Sequence, residues 1–184
     1  MQYAIGMRLS RALALLMLAA MPLCSPAQAP SANDACLGFK WDISQERALF
    51  RSAPRAVEAG TSRVAAPGLE ARHLYEVRLA PAEGVSFPVA PGKASPAQNT
   101  YAGIIALDLR AAGNYRVAVD TPLWIDIAAH GRLVPASDYE GQRSCSAPRK
   151  IVQFALAGSR HWIVQLSGSS VPIVRLAITP VPAS

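Results

Sequence analysis

From Arg72 onward, apolar residues recur at every second position, and this alternation does most to narrow the folds open to the chain. In RHLYEVRLA (72–80), Tyr75, Val77 and Leu79 share one face, with Leu74, Glu76 and Arg78 on the other. YAGIIALDL (101–109) sets Ile105, Leu107 and Leu109 on one side. After a turn at Ala112-Gly113-Asn114, Tyr115, Val117 and Val119 continue on an inner face, with Arg116 and Asp120 outward. Leu123, Ile125 and Ile127 repeat the pattern. Three stretches follow at 151–156, 161–166 and 171–179, the last with Val174, Leu176 and Ile178 inward and Arg175 outward. GVSFPV (84–89) reads as a further short strand, whereas 91–100 and 136–149 read as polar loops. About eight short strands at roughly ten-residue spacing, divided by Gly, Pro and Ser turns, predict an all-β fold, an antiparallel β-sandwich. A closed barrel is the alternative. No long helical pattern follows residue 51, which argues against a parallel α/β sheet.

The stretch before Arg72 has a different character. In CLGFKWDISQERALFR (36–51), apolar and charged residues alternate at helical spacing. Ser44 is placed to cap a short helix, Glu46 sits in its first turn, Pro54 stops it, and Leu49 and Phe50 point inward. Residues 52–71, rich in Ala, Gly, Pro and Ser, read as an extended connector.

The first 29 residues carry an export signature. Arg8 and Arg11 supply a positive start, ALALLMLAA (12–20) an uncharged apolar run, and Ala27-Gln28-Ala29 a small-residue cleavage pattern. The run is too short to span a bilayer, which needs about 20 apolar residues, and no later segment reaches that length. Cleavage after Ala29 leaves Pro30 beside the scissile bond, so cuts after Ala27 or Ser31 stay open. Cys24 raises a lipoprotein reading, against which Leu23 stands where that processing wants a small residue. The expected layout is a signal peptide over 1–29, a helix and connector over 30–71, and a β-sandwich over 72–180. The mature chain is then expected to be soluble, with no transmembrane segment, and periplasmic or secreted.

Removing residues 1–29 leaves 155 of 184, one domain's worth, and lowers the formal charge from +6 to +4 as Arg8 and Arg11 depart. The remaining basic residues, Arg47, Arg51, Arg55, Arg63, Arg72 and Arg78 among them, are scattered singly. No basic block is interleaved with aromatics, which argues against a nucleic-acid partner. Mild basicity favours either anionic glycans and lipid headgroups or an ordinary solvated surface. Of the three cysteines, Cys24 leaves with the signal. Cys36 and Cys145, two thiols in an oxidising compartment, are expected to form one disulfide. Metal ligation is the competing reading, but neither has a second Cys or His at ligand spacing.

Residues 99–180 resemble the bacterial pre-peptidase C-terminal domain, a small jelly-roll-like β-sandwich of secreted proteins. LRAAGNYRVAVD (109–120), WIDIAAHG (124–131) and FALAGSRHWIVQLSGSSVPIVRLAITP (154–180) carry the likeness. The family's first turn falls on Ala112-Gly113-Asn114-Tyr115, its Asp-bearing strand on Asp126, and its second turn on Ala157-Gly158. The resemblance implies a secreted accessory or binding module and no activity. The start CLGFKWDISQERALF is also similar to that of small exported bacterial proteins labelled homogentisate 1,2-dioxygenase. That likeness implies a non-haem iron oxygenase, whose metal needs two His and a carboxylate on one site. His73, His130 and His161 fall on different predicted strands or loops, none in an H-x-D/E pair.

Catalytic signatures are otherwise missing from the sequence. No G-x-S-x-G elbow occurs, and the serines at 168–170 and 141–145 read as turn residues. Asp120, Asp126, Asp138 and Glu140 are oxygen donors of a kind that can hold calcium, in a spacing that fits no EF-hand-like loop; solvated turn acids are the plainer reading. No catalytic residue, metal site or cofactor is expected. Trp124 falls on the outer face if Ile125 and Ile127 face in, and Tyr139 lies in the loop before Cys145. These two are the candidate binding surface, since a flat ring gains contact area at little entropic cost. The rival reading has the N-terminal helix covering Trp124, while Trp41 and Trp162 serve the core. The expected function is a non-catalytic module that binds a protein, glycan or envelope component. The rival class is a metal-dependent oxygenase.

Overall fold

The computed structural model describes residues 36–94, 96, 98–157 and 162–182. The export segment, Cys24, Gly158 and His161 lie outside the described residues. The chain runs β1 (Arg55–Glu58), β2 (Gly68–Glu70), β3 (Leu74–Arg78), β4 (Ala80–Pro81), β5 (Tyr101–Asp108) and β6 (Gly113–Val119). It continues through β7 (Trp124–Ala129), β8 (Arg132–Val134), β9 (Ala136–Gly141), β10 (Lys150–Leu156), β11 (Trp162–Ser169) and β12 (Ile173–Pro180). One short helix, α1 (Ser44–Phe50), precedes them.

The strands form two six-stranded sheets, a β-sandwich. The first has the order β1-β3-β12-β6-β10-β9; the second has β2-β5-β11-β7-β8, with β4 also paired to β5. The alternation explains the layering, because successive strand residues point to opposite faces. Tyr75, Val77, Tyr115, Val117, Phe154, Leu176 and Ile178 of the first sheet meet Ile105, Leu107, Ile125, Ile127, Val164 and Leu166 of the second in one buried core. Trp162 is buried in it too, as expected.

The outer faces are covered in different ways. On the first sheet, Phe39, Ile43 and Phe50 pack on Leu74, Ala118, Ile151 and Ala177. Trp41 packs against the rim of this cluster, under the Arg116 guanidinium at 4.7 Å. The Cys36 and Cys145 sulfurs lie 2.00 Å apart within it, a disulfide closing 109 residues of sequence. Phe50 is buried as predicted and Leu49 partly so. Ser44 is not the cap: the N-cap position is Ile43, without a side-chain cap bond, and Asp42 just before it accepts the Ser44 backbone N–H at 2.9 Å. Glu46 is buried, and its carboxylate accepts a hydrogen bond from Thr179 with Arg116 3.7 Å away. On the second sheet, Val85, Phe87 and Val89 lie over Ile104, Ala128 and Ile163.

Three local expectations change, and the structure adds one turn that the sequence left unassigned. Residues 84–89 keep their period of two but form no strand: their apolar side chains alternate onto the outer face of the second sheet. The Val89 N–H and C=O are paired by the Gln165 side-chain amide, at 3.2 and 2.9 Å, where a strand would use backbone. The polar stretch 136–149 contains an edge strand, β9, paired to β10. The connector 52–71 supplies edge strands β1 and β2, which pair in parallel with β3 and β5, so both sheets are mixed rather than purely antiparallel. Finally, His130-Gly131, with φ of 50° and 73°, closes a two-residue hairpin between β7 and β8, the turn that positive φ at both positions favours.

Candidate functional site

Residues of β7 in the second sheet and of β9 and β10 in the first line a common gap. In the gap lies a cleft of about 420 Å³. Pro122, Trp124 and Ile125 form one wall; Tyr139, Lys150 and Val152 form the other, with Glu140, Arg143 and Arg149 at its rim. Tyr139 stands opposite Val152 in the β9–β10 ladder, so it shares the face of Val152, which is buried in the core. It is nonetheless 69% exposed and lines the cleft.

Trp124 lies on the outward-alternating positions of β7, half-buried. The N-terminal helix does not cover it, since α1 packs on the other sheet, against β12. A polar arrangement holds its ring instead. The indole N–H donates to Asp126 Oδ1 at 2.9 Å, and the other carboxylate oxygen accepts the Gly92 N–H at 2.9 Å. Glycine at position 92 leaves room for this contact: a Cβ there would stand 2.9 Å from Asp126 Oδ1 and 3.3 Å from Leu133, so the carboxylate would have to shift. Two ammonium groups lie over the indole, Lys150 at 4.9 Å and Lys93 at 5.6 Å from its centroid. Lys150 also donates to the Leu123 carbonyl at 2.8 Å, which bridges the two sheets at the cleft. Burial pulls the Lys150 ammonium below the usual lysine range; Lys93 adds to the shift and Asp126 opposes it.

Among the described residues the cleft's cations form no ion pair, although Asp126 acts on Lys150 through space. Elsewhere the structure pairs Lys40 with Asp138, Arg78 with Glu58 and Arg175 with Asp120. Among the described residues, no carboxylate stands within ion-pair distance of Lys93, Arg143, Arg149 or Lys150. The nearby acids are engaged. Glu140 accepts the Lys40 backbone N–H at 2.8 Å and the Gln142 amide at 3.1 Å. Asp138 is bound to Lys40 at 2.6 Å, and that hydrogen bond holds its carboxyl below the usual carboxylate range. Asp120 accepts from the Arg175 backbone and side chain, both at 2.9 Å.

Sequence reasoning named Trp124 and Tyr139 from exposure alone. It missed Lys93, Lys150 and the Gly92–Asp126 contact, because nothing in the chain's spacing shows that residues 92 and 126 meet. A larger cavity of about 670 Å³, between the β2–β3 and β5–β6 turns, mixes Glu70 and Asp108 with Arg72, Arg110 and His73. Its aromatic residue, Tyr115, is buried, with its hydroxyl spent on the Ala111 carbonyl at 2.9 Å. The iron site implied by the dioxygenase likeness finds no matching donor set: among the described residues, no three His, Cys, Asp or Glu side chains converge. His73 lies beside Glu70, while His130 sits in the β7–β8 turn.

No protein-family model matches the chain, and no curated protein matches it. A beta-glucosidase from Kluyveromyces marxianus, solved in complex with glucose, shares 11% identity over 46% of this chain and 10% of its own, with a TM-score of 0.30. A likeness of that size carries no argument.

Proposed function

We propose that the protein is an exported, non-catalytic β-sandwich module that binds a protein, glycan or other envelope component in the cleft between Trp124 and Tyr139. The observation that carries this reading is one ring held in place by the Asp126 hydrogen bond and a second left uncovered across a cleft of about 420 Å³. That volume lies within the range of small-ligand sites, about 300–1,000 Å³. Export is supported by the Cys36–Cys145 disulfide, a bond that persists in oxidising compartments. Among the described residues, no helix is long and apolar enough to cross a membrane.

The test is co-sedimentation of the purified, disulfide-bonded protein with isolated cell-envelope fractions. Trp124→Ala and Tyr139→Ala should each weaken retention by about tenfold, the equivalent of about 1.4 kcal/mol, with unchanged circular dichroism. Equal retention of the wild type and both variants would show that this cleft is not the binding surface.

A further inference from the structure

The chemistry of the cleft is more specific than its shape. An aromatic wall alone suits any apolar or sugar face. Here Trp124 carries two ammonium groups within 6 Å of its ring centroid, at 4.9 and 5.6 Å, and two guanidinium side chains belong to the same edge of the sandwich. None of these four cations has a carboxylate partner among the described residues. Like charges held close repel one another; Asp126 and the rim's Glu140 offset part of that charge, and an incoming anion relieves the rest. The partial burial of Lys150 sharpens the point, because its charge meets less water than a surface lysine's.

We infer that the cleft takes an anionic saccharide, whose sugar face lies on Trp124 and Tyr139 and whose acidic substituent meets Lys150 and the neighbouring Arg149. The inference rests on the binding reading given above and names the ligand class for it. A saccharide fits better than a peptide strand for two reasons. The site is a recess between the two sheets that presents side chains of both, Trp124 on one and Tyr139 and Lys150 on the other. The edge strand beside it, β9, is already engaged through side chains with the N-terminal segment, by Lys40–Asp138, Lys40–Glu140 and Gln142–Gly38. A peptide adding to β9 would have to share that edge.

The experiment is a glycan array bearing uronate, phosphate and sulfate oligosaccharides, each beside its neutral counterpart, together with an oligoglutamate peptide. The intact, disulfide-bonded protein should be retained at least about tenfold better by one or more acidic sugars than by their neutral forms. Added salt should weaken that retention. Lys150→Met and Tyr139→Ala should each abolish the preference or the binding; Tyr139→Ala serves as the variant least able to disturb the fold, since its side chain is exposed. Equal retention of acidic and neutral sugars overturns the inference and leaves a saccharide-binding cleft. Capture by oligoglutamate alone overturns the saccharide and leaves a binding cleft. Retention of none overturns the inference, and the envelope sedimentation then decides separately whether the cleft binds anything.

Discussion

The outer faces of the two sheets are both covered by non-strand segments, yet the coverings are fastened by different chemistry. The first sheet is covered by residues 36–50, whose Phe39, Ile43 and Phe50 are buried and whose end is tied to Cys145 by a covalent bond. The second is covered by residues 85–92, whose apolar side chains are only partly buried. Their fastening is the Gln165 amide on Val89 and the Asp126 carboxylate on Gly92. A segment held by apolar burial and a crosslink opens close to global unfolding, whereas one held by a few hydrogen bonds opens at lower free energy. The candidate site adjoins the second, weaker cover. Trp124 therefore belongs to the part of the molecule most able to adjust around a ligand, while the helix-covered sheet serves as the rigid side.

Four changes break or sharpen this contrast. Phe50→Ala, in the helix-covered cluster, should cost about 3–5 kcal/mol in denaturant unfolding, the range for deleting a buried phenyl group. A loss under 1 kcal/mol would mean that α1 contributes little to the fold. Replacing both Cys36 and Cys145 by Ser should cost about 2–5 kcal/mol, with hydrogen exchange rising first in residues 36–50. Gln165→Leu should cost about 1–3 kcal/mol, because it strands the Val89 N–H and C=O under the loop. Its exchange signature should be confined to residues 85–93; a matching rise in 36–50 would show that the two covers are coupled. Lys40→Met is the mildest. In the folded protein Asp138 titrates below its unfolded range, so its contribution to stability is present above the unfolded pKa and fades as pH falls through the folded one. Removing Lys40 should move Asp138 upward toward the ordinary carboxylate range by carboxyl NMR and flatten that acid-side loss.

The inner faces of the sandwich were legible in the sequence because burial on one side of a strand imposes a period of two. Tyr75, Val77, Ile105, Leu107, Tyr115, Val117, Leu176 and Ile178 all lie where that period puts them. The edges were not legible. β9 (ASDYEG) has no apolar face to show, since its Asp138 and Glu140 side chains pair with the N-terminal segment and its Tyr139 faces an open gap. β1 and β2 are short, pair in parallel and sit at sheet edges, where burial constrains sequence least. Residues 84–89 show the opposite error. Their alternation is genuine, but it records contact with the outside of a sheet, and pattern alone does not separate that from membership in one.

The candidate site divided in the same way. Trp124 was visible as an aromatic residue on the outward face of a strand and Tyr139 as one in a polar stretch, and the structure brings both to one cleft. Their charged neighbours were invisible, because Lys93 and Lys150 are ordinary surface residues until the 85–93 segment folds over β7. The predicted cover for Trp124 was the wrong one for a related reason: a helix and a sheet face can be matched by hydrophobicity, but the sequence does not say which of two outer faces the helix takes. Leu74, Ala118 and Ile151 take the helix and its flank, while the apolar patch of the second sheet, Ile104, Ala128 and Ile163, is taken by residues 85–89.

The Gly92–Asp126–Trp124 contact carries a consequence for how the protein diverges. Three positions within a span of 35 residues (92, 124 and 126) answer to one geometric condition, since a Cβ at 92 would crowd the carboxylate that aims the indole. They should therefore be inherited together or lost together. In sequences that have drifted beyond overall recognition, a glycine about thirty positions ahead of a Trp-x-Asp strand would mark descendants that keep the cleft, and its loss would mark those that keep only the sandwich.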